Sequence, residues 1–176
     1  LPFEDQSMDG VIATEVLEHL PNHSLVLSEI SRILKPGGFF LFSTPNIHRL
    51  NSRLGFALHG IHELAGATIH GGQSSAVLSS AHHNPVYFPV IHALLWQADL
   101  RIQQMAYTRA NPSSWLALPL FYPLNALLVR LNSRRFRRLN DSWGLDLSRW
   151  MSQPLMLLNR HTLAVAKKEN ALRHDS

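Results

Sequence analysis

Met8-Asp-Gly-Val-Ile-Ala-Thr14 and Phe39-Phe-Leu-Phe-Ser43 bracket the stretch that decides the fold. The first is a short apolar run, with Asp9 and Gly10 at its start, and reads as a buried strand. The second is apolar at consecutive positions, as expected of a strand covered on both faces in a parallel sheet. Between them Val26, Leu27, Ile30, Ile33 and Leu34 fall at helical spacing and form one apolar face. Asn22 or Ser24 can cap that helix. Lys35 suits its last turn, and Pro36-Gly37-Gly38 stops it. Residues 8–43 therefore read strand, helix, strand, a βαβ unit with a right-handed crossover. Ligands of such sheets bind beyond the carboxyl ends of the strands. Those ends are Thr14-Glu15 and Ser43-Thr-Pro-Asn46.

The 176 residues suffice for one domain with a sizeable core. Only 16% are charged, against 45% hydrophobic, so much of the chain is available for burial. A net charge of +4 tolerates a nucleic-acid or anionic-lipid partner without demanding one. The chain has no cysteine, which excludes disulfides, thiolate nucleophiles and zinc–thiolate sites and is compatible with a cytoplasmic location. No run of about 18 uninterrupted apolar residues is present.

Beyond Asn46, residues 47–58 read as a helix, 60–84 as a lid-like loop rich in Gly, Ser, Ala and His, 89–98 as a helix and 101–107 as a strand. Residues 1–110 thus form the core. Residues 111–155 read as an insertion or substrate cap, 156–168 as the region of a final strand (161–167), and 169–176 as a polar tail. Within the insertion, 115–129 is strongly apolar, and Arg130, Arg134, Arg135, Arg137 and Arg138 follow. Pro119 and Pro123 should break a regular helix there. Three readings stand: a pocket lining, a membrane-interface segment with arginines on anionic lipid, or a helix packed on the domain. Packing or a substrate cap is favoured. Nucleic acid is not, since no stacking platform accompanies the charge.

The order Leu1-Pro-Phe3, Ser7-Met-Asp9, Glu15-Val-Leu-Glu-His19, Leu34-Lys-Pro-Gly-Gly38 and Ser43-Thr-Pro-Asn46 resembles the class I S-adenosylmethionine-dependent methyltransferases that act on small molecules and lipids. The likeness is close over 1–46 and looser to about residue 107; the final strand resembles the family's antiparallel one. It implies the later half of a Rossmann-like α/β sheet, with helices on both faces. It implies S-adenosylmethionine as cofactor, held by Leu1, Pro2, Phe3, Thr14 and Glu15, and a small-molecule or lipid-like acceptor. The family's Gly-rich cofactor loop follows its first strand, and no such loop follows a strand here. The resemblance therefore implies a carboxyl-terminal portion, expected to be inactive by itself. The rival reading is a non-catalytic remnant or interaction module that binds a partner or membrane through 115–138.

His19 is the natural proton acceptor, since its side chain titrates near neutrality; the alternative is a histidine packed at a helix start. Glu18 and His83 are further catalytic candidates, His83 because the resembling segment approaches the substrate. Glu15, Glu18 and His19 could share one helical face and hold a divalent metal. A metal is not favoured, because the helix dipole alone attracts acidic residues to such a position. Asn46 and His48 could touch substrate or cap the helix that follows. Strand 8–14, unpaired on one side, would be an apolar edge. The chain alone is therefore expected to be poorly soluble or to pair edge to edge; a stable soluble monomer in sedimentation would contradict this.

Overall fold

The computed structural model describes residues 1–60, 86–108, 110, 112–138 and 141–169. Strand β1 (Met8–Thr14) leads through a 3-10 turn (Leu17–His19) to helix α1 (His23–Ile33) and strand β2 (Leu34–Pro45). Helices α2 (Leu50–His59) and α3 (Phe88–Gln97) precede strand β3 (Leu100–Tyr107). Helices α4 (Pro112–Arg138), α5 (Ser142–Met151) and α6 (Leu155–Leu158) lead to the last strand, β4 (His161–Lys168). The sheet order is β1-β2-β4-β3. β1 and β2 are parallel, and β4 runs antiparallel between β2 and β3. The α/β class and the antiparallel final strand are as the resemblance implies. The expected lid, with His83, and the tail from residue 170 lie outside the described residues.

The βαβ frame forms for the reasons legible in its sequence, with one difference. Asn22 caps α1 by accepting from the Leu25 amide at 3.0 Å. The helix then stops at Ile33, before Lys35 and the Pro-Gly-Gly run. Met8 pairs with Leu34 and Gly10 with Phe39, so residues 35–38 bulge out of β2 and do not end the helix. Gly37 takes a φ of 79°, open to glycine at no steric cost. Lys35 bridges to Asp9 at 2.8 Å. Besides Arg32 in the last turn of α1, the cation that meets carbonyls at its end is Lys168 from β4, which donates to those of Ser31 (2.6 Å) and Leu34 (2.8 Å).

One face of the sheet carries the core. Val11, Phe40, Ala166 and Ile102 form one cross-strand row; Ala13, Phe42, Ala164 and Met105 form the next. Phe40 and Phe42 stack at 5.2 Å, and the alanines of β4 leave room for them. Leu27 and Ile30 of α1, Ile91 and Leu95 of α3, Trp150 of α5 and Met156 of α6 close over this face. The opposite face holds Ile12, Leu41 and Val165 in register, with Ile12 66% exposed. Phe39 lies there over Gly10, where a Cβ would stand 2.3 Å from its ring. Among the described residues, the helices of the main core pack on the first face. Among the described residues β1 stands at one edge of the sheet, as expected.

Helix α4 continues through Pro119 and Pro123. The two are four residues apart and both exposed, so the carbonyls they leave without a donor can meet water.

The segment before β1 is tied to the last turn of α1. Arg32 donates to the carbonyls of Leu1 (3.1 Å) and Phe3 (3.0 Å) and pairs with Asp5 and Glu29. Above all it is Arg32 that holds the Glu29 carboxyl at about 2 against an ordinary 4.5. A depressed carboxyl contributes stability in full above the unfolded value and loses it as pH falls through the folded one. The window therefore runs from about pH 4.5 down to about 2. In an NMR titration the Glu29 carboxyl should show a midpoint near 2. Arg32→Gln should move it back toward 4.5; an unchanged midpoint would contradict the assignment.

Candidate active site at the carboxyl edge of the sheet

β1 ends at Thr14, and Glu15 turns the chain with a φ of 52°. A non-glycine residue in this left-handed region costs about 1–2 kcal/mol. The turn is held by β2. The Glu15 amide donates to the Ser43 carbonyl at 3.1 Å and to Ser43 Oγ at 3.2 Å. Ser43 Oγ in turn donates to Glu15 Oε1 at 2.7 Å. The other carboxylate oxygen lies 3.6 Å from His161 Nε2, and Thr108 Oγ1 lies 3.4 Å from His161 Nδ1. Four strands thus contribute: β1 and β2 at their carboxyl ends, the residue after β3, and the first residue of β4.

The Glu15 and His161 side chains are each 42% exposed, so the pair faces solvent and not the core. An ionised carboxylate is an acceptor only, and one of its oxygens here is oriented by Ser43. The second is open to a cation or to a proton carried by the imidazole. This arrangement can hold positive charge and move a proton at the edge where such sheets bind ligands.

Thr14 is exposed beside this cluster. Leu1, Pro2 and Phe3 sit at the other end of β1, against α1, about 20 Å away by strand rise. The structure does not bring these two parts of the expected cofactor set together. Glu15, Glu18 and His19 do not share a helical face either, because only Leu17–His19 is helical and Glu15 lies outside it. Glu18 is buried, while His19 is exposed. Among the described residues, no three of His, Cys, Asp and Glu group as metal ligands.

Asn46 is buried, and its amide donates to the carbonyls of Met156 and Asn159, both at 2.9 Å. Its Oδ1 accepts from the His48 amide at 2.9 Å. His48 Nε2 accepts from the Phe88 amide at 3.0 Å, which leaves the proton of a neutral ring on Nδ1. Both residues therefore tie the end of β2 to α3 and α6. Beside them a cleft of about 460 Å³ is lined by Ile47, His48, Arg53, Phe56, Tyr87 and Met151. Arg53 donates to the His48 carbonyl (2.6 Å) and to Asn125 Oδ1 (2.9 Å), and its remaining Nη2 is buried without a hydrogen-bond partner among the described residues. Burial lowers the pKa of this guanidinium.

His161 and Thr108 are residues of this cluster that the sequence does not single out, and Ser43 is expected there only as part of the carboxyl end of a strand. A signal was present for His161: it opens a strand expected to be antiparallel, and such a strand begins at the carboxyl edge of its neighbours.

A family model described as a methyltransferase domain matches residues 1–42. A sterol 24-C-methyltransferase of Gibberella zeae is 52% identical over 40 residues, 23% of this chain and 10% of that protein. A 24-methylenesterol C-methyltransferase of Oryza sativa is 31% identical over 121 residues, 62% of this chain and 32% of that protein. The matched stretches thus span a third or less of those relatives. The solved structure of a Bacillus halodurans C-125 protein described as a methyltransferase shares the fold: TM-score 0.51 at 14% identity, covering 97% of this chain and 68% of that one.

Asn46→Ala removes donors from two carbonyls more than a hundred residues away. It should cost about 1–3 kcal/mol in denaturant unfolding. A change under about 0.5 kcal/mol would show that the staple contributes nothing.

Proposed function

We infer that this chain, a relative of the class I S-adenosylmethionine-dependent methyltransferases, takes part in methyl transfer to an apolar, lipid-like acceptor. One observation carries this. The block matched to the methyltransferase domain contains Thr14 and Glu15, and the structure gathers Ser43 and His161 around Glu15.

The donor set suits the cofactor's chemistry. Glu15 offers a carboxylate oxygen that is open to solvent, and a sulfonium or ammonium group is a fitting counter-charge. Thr14 and Glu15 are the residues that would hold this end of S-adenosylmethionine, which supplies an activated methyl group when bound. Ser43 fixes the Glu15 carboxylate in one rotamer and so pre-orients its charge. His161 is placed to take a proton from an acceptor hydroxyl or amine, with Glu15 stabilising the resulting imidazolium. His19 is exposed on the turn that follows and is a second proton acceptor within the same region of chain.

The cleft beyond the end of β2 supports the acceptor class. Its volume lies in the range of small-molecule sites, and its walls are mainly apolar. The Arg53 guanidinium in the cleft wall suits an oxygen-bearing end on an otherwise apolar molecule. The relatives named for sterols fit the same class.

The test is radiolabel transfer from S-adenosylmethionine to a total lipid extract, with protein expressed from its full reading frame. Label should enter an organic-soluble product. Glu15→Gln and His161→Ala should each lower kcat by about 10²–10⁴ while leaving thermal unfolding near wild type. Absence of transfer to any organic-soluble acceptor would sink the reading, and unchanged rates in both variants would remove the assigned roles.

A further inference from the structure

Helix α4 is amphipathic in the inverted sense. Its inward side presents Ser114 and Asn125, both buried. Asn125 accepts from Arg53 and donates to the Met151 carbonyl at 3.3 Å. Lower down, Phe136 packs edge-on against Trp143, with Gly144 close beneath its ring. The outward side presents leucines. Leu116, Leu120, Leu124, Leu127 and Leu131 recur at intervals of three and four, one stripe along the helix. Leu116 is 87% exposed, Leu120 75%, and the other three are about half exposed. A stripe of this length, about 22 Å, is too large to be scattered surface residues.

The charge on this helix has one sign. Residues 112–138 contain no Asp or Glu, and Arg130, Arg134, Arg135, Arg137 and Arg138 are all exposed at its last turns. Arg134, Arg135 and Arg138 prolong the leucine stripe. An apolar stripe that runs into a cationic end matches an interface whose interior is hydrocarbon and whose headgroups are anionic. By length and composition α4 could also cross a bilayer. Its inner side argues against that, because Asn125 and Ser114 are committed to polar or buried contacts with the domain. Spanning would strand them in hydrocarbon.

We propose that α4 docks this domain on an anionic lipid surface, lying in the interface with its leucine stripe inserted and its arginines on phosphate headgroups. The proposal does not depend on the methyl-transfer reading.

Flotation with vesicles of phosphatidylcholine and phosphatidylglycerol, compared with phosphatidylcholine alone, tests it on the full chain. Wild type should float with the mixed vesicles and only weakly with the neutral ones. Leu120→Ser/Leu124→Ser/Leu127→Ser should reduce binding at least about tenfold on the mixed vesicles, with thermal unfolding unchanged. Arg134→Gln/Arg135→Gln/Arg138→Gln should reduce binding on the order of a hundredfold there and hardly at all on neutral ones. Failure of folded wild type to float overturns the proposal. So does a serine variant that floats like wild type, since charge alone would then suffice, as for a nucleic acid. A wild-type dimer in sedimentation, monomeric in the serine variant and without affinity for vesicles, would overturn it in favour of a second copy on the stripe.

Discussion

β2 must satisfy two partners of opposite sense at once, and the fold depends on that. Its Phe39–Ser43 segment pairs in parallel with β1 and antiparallel with β4. Its Phe40 and Phe42 side chains are fully buried. A one-residue slip against either neighbour would carry both phenylalanines to the face that bears Ile12 and Val165. The bulge at residues 35–38 absorbs the mismatch between where α1 ends and where this register must begin. Lys168 then fastens the end of α1 from the far side of β2. Helix, bulge and last strand are therefore parts of one registration device.

The same device builds the candidate site. Because β4 runs against β2, its first residue lies at the edge where β1 and β2 finish, and His161 meets Glu15 there. Beyond that edge, Asn46 commits its side chain to Met156 and Asn159, which fixes the segment leading to the cleft. Asn46 and His48 commit hydrogen bonds to the backbone of the fold, His48 while also lining the cleft, and polar groups at a strand end and a strand start form the open cluster. The exposed chemistry is small: the Glu15 carboxylate oriented by Ser43, the His161 imidazole, and the hydroxyls of Thr14 and Thr108, on a scaffold that keeps them apart from the core.

The βαβ frame was legible because its signals are local. Asn22 caps three residues ahead, and the apolar period changes from helix to strand within a few positions. Pro36-Gly37-Gly38 misled because the same residues that stop a helix also permit a bulge. Pro119 and Pro123 misled because their effect depends on which side of α4 faces water, a matter of tertiary placement. The role of Asn46 rests on carbonyls at residues 156 and 159, which no window of sequence can join to it. Glu15, Glu18 and His19 could share one face only in a helix that starts at Glu15, and the helical turn begins at Leu17. Thr14 and Glu15 were placed correctly at the carboxyl edge, since the end of a strand is itself a local signal.

Glu15 carries a consequence for any attempt to harden this protein. Its left-handed backbone is strained for a side chain that is only half buried. Glycine, and to a lesser degree asparagine, would relax that strain. Directed evolution for heat resistance alone would therefore drift toward removing the carboxylate, and with it the counter-charge opposite His161. Robustness and chemistry pull this single position in opposite directions, so a screen must select for both to keep the glutamate.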